Sequence, residues 1–259
     1  MQLVAVLGTG RVVNALSEYR DPLDRFHLQV LPGAPIDKAL DALPVLGFAG
    51  ALTFGVEARK AAFRGAARPS LLAQELGAVN VVTRTGESLH GDHVGASDVV
   101  EGLRHAGWDP HGARVVASGE GDDVRAVLLA MAESGANDVT LVARDAPTAE
   151  RALPRLPAGV TGRAVASRDP IVHDLLTHGD AILRGDDALP LDPGTFGPHL
   201  TLVDLAPDLE LGVRRDAQAA GVSTVGWADV ESHRIAARLL HMLSEPVDPA
   251  GLRDALRAP

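Results

Sequence analysis

The chain has no cysteine. Disulfides, thiolate metal sites and cysteine nucleophiles are therefore excluded. Aromatic residues are scarce at 3%, so the core is built from Val, Leu and Ala. No apolar run approaches the ~20 residues of a transmembrane helix. The opening stretch MQLVAVLGTG has no basic leader and meets glycine early, which points to a cytoplasmic protein. No cluster of five or more Lys and Arg occurs, and the formal net charge is −10. Nucleic acid and anionic membranes are poor partners for such a chain. No HExxH-like spacing of histidines appears, so no metal site is expected.

What is present is an ordinary globular composition. Of the 259 residues, 46% are hydrophobic and 22% charged, enough to bury the core of two modest domains. Short apolar runs alternate with helically spaced segments. LVAVLG (Leu3–Gly8), FHLQVL (Phe26–Leu31), GFAGALTF (Gly47–Phe54) and AVNVVT (Ala78–Thr83) read as strands. PIDKALDAL and EARKAAF between them have helical spacing. A second series follows, with ARVVAS, DVTLVA, TGRAVA, DAILRG and LTLVDL as strands. Asp122–Glu133, Pro147–Leu153 and Ile171–Thr177 read as its helices. This βαβ alternation predicts mostly parallel sheets.

SDVVEGLRHAG (Ser97–Gly107) joins the two series as a helix, with Ser97 as N-cap and Gly107 as stop. The final stretch is two helices broken at Pro246, with apolar spacing (Ile235, Leu239, Leu240, Leu243) suited to packing on the first domain. The expected fold class is α/β in two domains. One comprises residues 1–96 with 232–259 returning to it. The other comprises residues 97–231 and carries the second, parallel series.

The phosphate-loop candidate is SGEGDDVRA. Gly119 and Gly121 follow a strand and precede a helix, as a phosphate turn requires. Asp122 and Asp123 come next, where a pyrophosphate would rest. The positive end of a helix holds either a phosphate or a carboxylate. The expectation is that Asp122 caps the helix and closes the loop. GTGR (Gly8–Arg11) lacks a third glycine and matches no phosphate loop, and Ser118 is not a nucleophile because GxSxG is absent.

The order of these pieces resembles the shikimate dehydrogenase family over nearly the whole chain. LGAVNVV (Leu76–Val82) is similar to its GAVNT segment, and LHGDHVGASDVVEGLR to its LxGxNTDGxG stretch. GEGDDVRA stands at GAGGAxRA, VARD at NRT, VDLAPDL at DxxYNP and GWADVESHRIA at GxxMLxxQ. The resemblance implies a substrate domain, a Rossmann-type NADP domain over residues 97–231, and reduction of a ring ketone with NADPH while a Lys–Asp pair handles the proton at the oxygen.

The departures fall on that chemistry. The lysine position is Glu57 and the aspartate position is Gly95. The serines that hold the substrate carboxylate are replaced by Asn14-Ala15-Leu16, the late tyrosine by Pro207 and the glutamine by His233. Thr53 and Asn80 remain of the substrate-contacting set. By the same resemblance, Gly119, Gly121, Arg125 and Arg144 are the cofactor positions. Arg144 matches the residue for the 2′-phosphate of NADP, whereas the following Asp145 suits the ribose hydroxyls of NAD.

A carboxylate beside a developing alkoxide does the reverse of a lysine. Two unit charges ~4 Å apart interact by ~4 kcal/mol at a near-surface dielectric. Lys60, one helical turn after Glu57, could stand in with Asp92 or Asp98; the alternative is an ordinary surface pair. The sequence thus predicts a family member impaired in shikimate oxidoreduction, with NADP bound weakly or not at all. The competing readings are an NADP-dependent shikimate or quinate oxidoreductase with repositioned groups, and a non-catalytic interaction protein using the old cleft. No ligand, partner or oligomeric state is identified.

Overall fold

A computed structural model describes the whole chain except residues 186–188, 190, 192, 208–210 and 259, and the side chain of residue 211. The chain forms two compact units, Met1–Gly95 with Ser232–Pro259, and Ala96–Glu231.

The first unit runs β1 (Gln2–Gly8), α1 (Arg11–Glu18), β2 (Phe26–Val30), α2 (Ile36–Ala42), β3 (Phe48–Phe54), α3 (Val56–Gly65), β4 (Arg68–Pro69), α4 (Leu71–Leu76), β5 (Val81–Thr85) and β6 (Ser88–Asp92). Its sheet has the order β2-β1-β3-β5-β6-β4. β1 lies parallel to β2 and β3, but β5 is antiparallel to both β3 and β6, so the sheet is mixed. Alternation along the strands sends Ala5, Leu7, Ala51 and Val82 into a core with Leu40 and Leu43.

One strand boundary changes here. The strand anticipated over Ala78–Thr83 begins at Val81, so Asn80 lies just before it. Asn14-Ala15-Leu16 lies in the middle of α1, with Leu16 fully buried. The connection from β1 to α1 is only Thr9-Gly10, because Val13 and Leu16 give the segment an apolar helical stripe. No carboxylate-holding serine loop exists at that place.

The second unit contains α5 (Ala96–His105), β7 (Arg114–Ser118), α6 (Asp122–Glu133), β8 (Asp138–Ala143), α7 (Ala146–Ala152), β9 (Thr161–Ala166), α8 (Ile171–His178), β10 (Ala181–Arg184), β11 (Thr201–Asp204), α9 (Leu211–Ala219) and β12 (Ser223–Val225). Its sheet is parallel throughout, in the order β12-β11-β10-β7-β8-β9. That is the doubly wound dinucleotide-fold order. α5 starts at Ala96, so Ser97 lies in its first turn and is not the cap. At the other end Gly107 N donates to Arg104 O and Trp108 N to Leu103 O, the paired bonds that stop a helix at glycine.

α10 (Trp227–Leu243) and α11 (Pro249–Arg257) follow. Asp248 caps α11 by accepting from Ala250 N, and Pro249 occupies its first turn. Arg25 Nη1 donates to Pro246 O at 2.7 Å, tying the α10–α11 turn to the α1–β2 connection. Among the described residues no helix is long and apolar enough to cross a membrane.

Candidate functional site

In the first unit, the end of β3 and the approach to β5 are knotted by polar groups. Thr53 Oγ1 donates to Val79 O at 2.5 Å. Thr53 N donates to Asn80 O, and Asn80 N to Asp92 O. Asn80 uses both ends of its amide on one residue: Nδ2 donates to Val94 O and Oδ1 accepts from Val94 N, each at 2.9 Å. Both Thr53 and Asn80 are fully buried. Their hydrogen-bonding groups hold the 92–95 turn in place.

That turn ends at Gly95, whose φ is +103°. A Cβ there would stand 3.0 Å from Arg234 Cα and 3.1 Å from Arg234 Cβ. The family's aspartate position therefore has no side chain, and one added there would crowd Arg234. The lysine position fares no better. Glu57 lies in the first turn of α3 with 88% of its side chain exposed, and Lys60 pairs with it at 3.8 Å. Glu57 also lines a cavity of about 840 Å³ with Thr9, Leu31, Ile36, Phe54 and Arg64, over the carboxyl ends of β1, β2 and β3.

The stand-in groups each have other partners. Lys60 is engaged by Glu57, while Asp92 Oδ2 meets His241 Nε2 of α10 at 2.9 Å, so Lys60 and Asp92 are not bonded to each other. Asp98 belongs to the second unit, in the first turn of α5, with its Oδ2 3.4 Å from Ser97 Oγ. His233 is exposed on α10.

The buried stripe of α10 carries arginines that the sequence reading passed over. Arg234 and Arg238 are 1% and 0% exposed, and Arg59 of α3 is 7% exposed. The Arg238 guanidinium lies over the Phe54 ring, 5.4 Å from its centroid, a cation–π contact. Arg59 Nε donates to Thr53 O. The signal was available: Arg234 and Arg238, four apart, share the helical spacing of Val230, Ile235, Leu239 and Met242. His233 falls off that stripe. Arginine remains charged at any neutral pH. It attracts an oxyanion but has no proton to give.

In the second unit, the turn after β7 keeps a phosphate loop's shape and loses its charge. Gly119 has φ +106° and donates its N–H to Val142 O. The N-cap of α6 is Gly121, with no side-chain cap. Asp122 is thus the first residue of the helix and not its cap, contrary to expectation. It is 9% exposed, and Asp123 follows in the same turn. Two carboxylates in this turn do not fit a pyrophosphate, although the backbone does.

Arg125 Nε donates to Ala152 O at 2.9 Å, spending that group on the end of α7. Arg144 is 74% exposed beside Asp145. Asp145 is the N-cap of α7, accepting from Thr148 N at 2.8 Å. Hydrogen bonding from Thr148 holds its carboxyl below the usual range. One of its oxygens is therefore used locally, which weakens its case as a ribose ligand.

No protein-family model matches the chain. It is similar to the NADP(+) shikimate dehydrogenase of Mesorhizobium japonicum, at 32% identity over 200 residues, which is 74% of this chain and 71% of that protein. It is similar to that of Rhodospirillum rubrum at 32% over 237 residues, 87% of this chain and 75% of that protein. Among solved structures, shikimate 5-dehydrogenase from Listeria monocytogenes, in complex with shikimate and NAD, shares the fold with a TM-score of 0.81 at 13% identity, covering 98% of this chain and 95% of that one. The 5-ketofructose reductase of Gluconobacter matches with a TM-score of 0.79 at 21% identity, covering 98% and 97%. The same mixed and doubly wound sheets, and two relatives at 32% identity over most of their length, lead to one conclusion: the chain belongs to the shikimate dehydrogenase family.

Proposed function

We propose that this chain is a family member impaired in shikimate oxidoreduction, which retains the scaffold for an altered, anionic small ligand. The observation that supports this most is the state of the two positions that would carry the proton. Glu57 is a solvated carboxylate paired with Lys60, and Gly95 has no side chain and a positive φ that disfavours one. The buried cations of α3 and α10 are arginines, which do not serve as proton donors at neutral pH. The acidic first turn of α6 argues further for weak NADP binding. With the pyrophosphate position unsuited, no hydride step is derived for this chain.

The test is a turnover assay with shikimate at millimolar concentration and either NADP or NAD. No rate above background is expected. A kcat in the ~1–10³ s⁻¹ range usual for enzymes overturns the reading. One observation favours the alternative, an NADP-dependent oxidoreductase with repositioned groups: Arg144 keeps an exposed guanidinium at the end of β8, where a 2′-phosphate would be met.

A further inference from the structure

The second unit's sheet turns outward in both directions from one point. From β7 the chain builds β8 and β9 on one side, then β10, β11 and β12 on the other. Ligands of open α/β sheets bind at the carboxyl ends of the strands at such a switch point. The last residues of β7, β10 and β11 are Ser118, Arg184 and Asp204, and they are register partners across the three strands. They continue the apolar column Val116, Ile182 and Leu202, two residues earlier on the same face. All three are buried, at 1%, 5% and 1% exposure.

An arginine at this place is unusual. β10 reads Ala-Ile-Leu-Arg, buried at every position. Arg184 Nε donates to Asp204 Oδ1 at 2.7 Å. Its Nη2 lies 2.6 Å from that same oxygen but outside hydrogen-bond alignment, and is buried without a hydrogen-bond partner. Asp204 cannot offer more, because its Oδ2 is taken by Arg214 Nη2 from α9. Ser118 does not fill the gap either: its Oγ accepts from Gly185 N at 3.2 Å. Two guanidiniums therefore share one carboxylate, and among the described residues these three side chains sum to a net positive charge. A central strand could hold an apolar residue here at no desolvation cost. Asp204 is thus divided between two cations, which leaves Arg184 less fully neutralised than a one-to-one pair would.

We propose that the Arg184 guanidinium, clamped by Asp204 at the switch point of this sheet, is the anchor for a ligand oxyanion, either a phosphate or a carboxylate. Its Nε edge is committed to Asp204, and its Nη groups suit a planar or tetrahedral oxyanion. Asp204 is a positioning residue, and Arg214 keeps Asp204 from neutralising Arg184 fully. The site stands beside Ser118, directly before the Gly119 turn, so it supplies positive charge where α6 supplies negative. It goes beyond the proposed function, since it holds whether or not shikimate is turned over.

The test is a titration of the uniformly ¹⁵N-labelled full chain, read at the assigned Arg184 Nε–H resonance at fixed ionic strength. Sodium pyrophosphate and shikimate are the two probes, each taken to about 10 mM. One of them is expected to shift the resonance saturably with a Kd below about 1 mM. A response to pyrophosphate assigns the site to phosphate, and a response to shikimate assigns it to carboxylate. Arg184→Lys keeps the charge and removes the fork, and should weaken that probe at least about tenfold. If neither probe moves the resonance, or if Arg184→Lys binds as tightly as wild type, the proposal is overturned. Should the variant fail to fold, the wild-type titration decides alone.

Discussion

Gly95 lies against the backbone of Arg234, so closely that a Cβ on Gly95 would stand 3.2 Å from the Arg234 carbonyl oxygen. Its φ of +103° excludes most side chains before packing is considered. Restoring the family's acid here is therefore not a simple exchange. Gly95→Asp is expected to lose about 2–4 kcal/mol, combining backbone strain with overpacking. Glu57→Lys, on the exposed turn of α3, should change stability by no more than about 0.5 kcal/mol. Urea unfolding of the two variants measures the contrast. Equal midpoints would mean that α10 gives way around residue 95, and the barrier to restoring the dyad would be chemical alone.

Thr53 and Asn80 resemble substrate contacts, yet their polar groups are used within the fold. Asn80→Ala leaves the N–H and C=O of Val94 without their partners and should cost about 2–3 kcal/mol. Thr53→Val should cost about 1 kcal/mol. Thermal melts check both. Unchanged melting with weakened ligand binding would return these residues to the binding surface.

The acid limb of stability has a local source in Asp21. Its buried carboxylate accepts from Arg25 N, Nε and Nη2 at 2.8–3.0 Å. The side-chain hydrogen bond from Arg25 is the main cause holding its pKa below the usual carboxylate value. A folded pKa below the unfolded one means the contribution is full above about pH 4, and is lost as the pH falls through the folded value. Asp21→Asn should cost about 1–2 kcal/mol at pH 7 and flatten the unfolding curve below about pH 4. Because Arg25 also reaches Pro246 O, amide exchange near Pro246 should quicken in the variant. An acid limb as steep as wild type would place the sensitivity in another carboxylate.

Much of the architecture was legible because burial writes itself as apolar runs. DVTLVA and DAILRG read as strands, and β8 and β10 within them are inner strands of the sheet with nearly every residue buried. β6 escaped notice because SLHGD has no alternation; it is held by backbone pairing to β5 across a two-residue turn. α9 escaped because Arg214, Arg215, Asp216 and Gln218 break up any apolar stripe in LGVRRDAQA. The site was harder. Family positions located Glu57 and Gly95, but the buried arginines break the rule that charged residues face water. Arg234 and Arg238 needed the helical stripe of α10 to be read through its charges. Arg184 needed the sheet order, since only the register with Ser118 and Asp204 reveals the row.

The acidic first turn of α6 gives a test of dinucleotide binding by the second unit. Gly119 and Gly121 leave the backbone shaped for a phosphate, while Asp122 and Asp123 stand in the first helical turn. Acidic residues there stabilise the helix by about 0.3–1 kcal/mol each, so removing them costs stability. Near a pyrophosphate the same charges repel by a few kcal/mol at an effective dielectric near 20, before salt screening. Binding and stability should thus move in opposite directions in Asp122→Asn/Asp123→Asn. The expected result is a slightly lower melting temperature with NADPH bound at least about tenfold more tightly, a difference of ~1.4 kcal/mol. The gain should shrink as salt is raised. Calorimetric titration at two ionic strengths measures it. Low-micromolar binding of NADPH by the wild type would mean that the two carboxylates point away from the phosphates, and the oxidoreductase reading would then take first place.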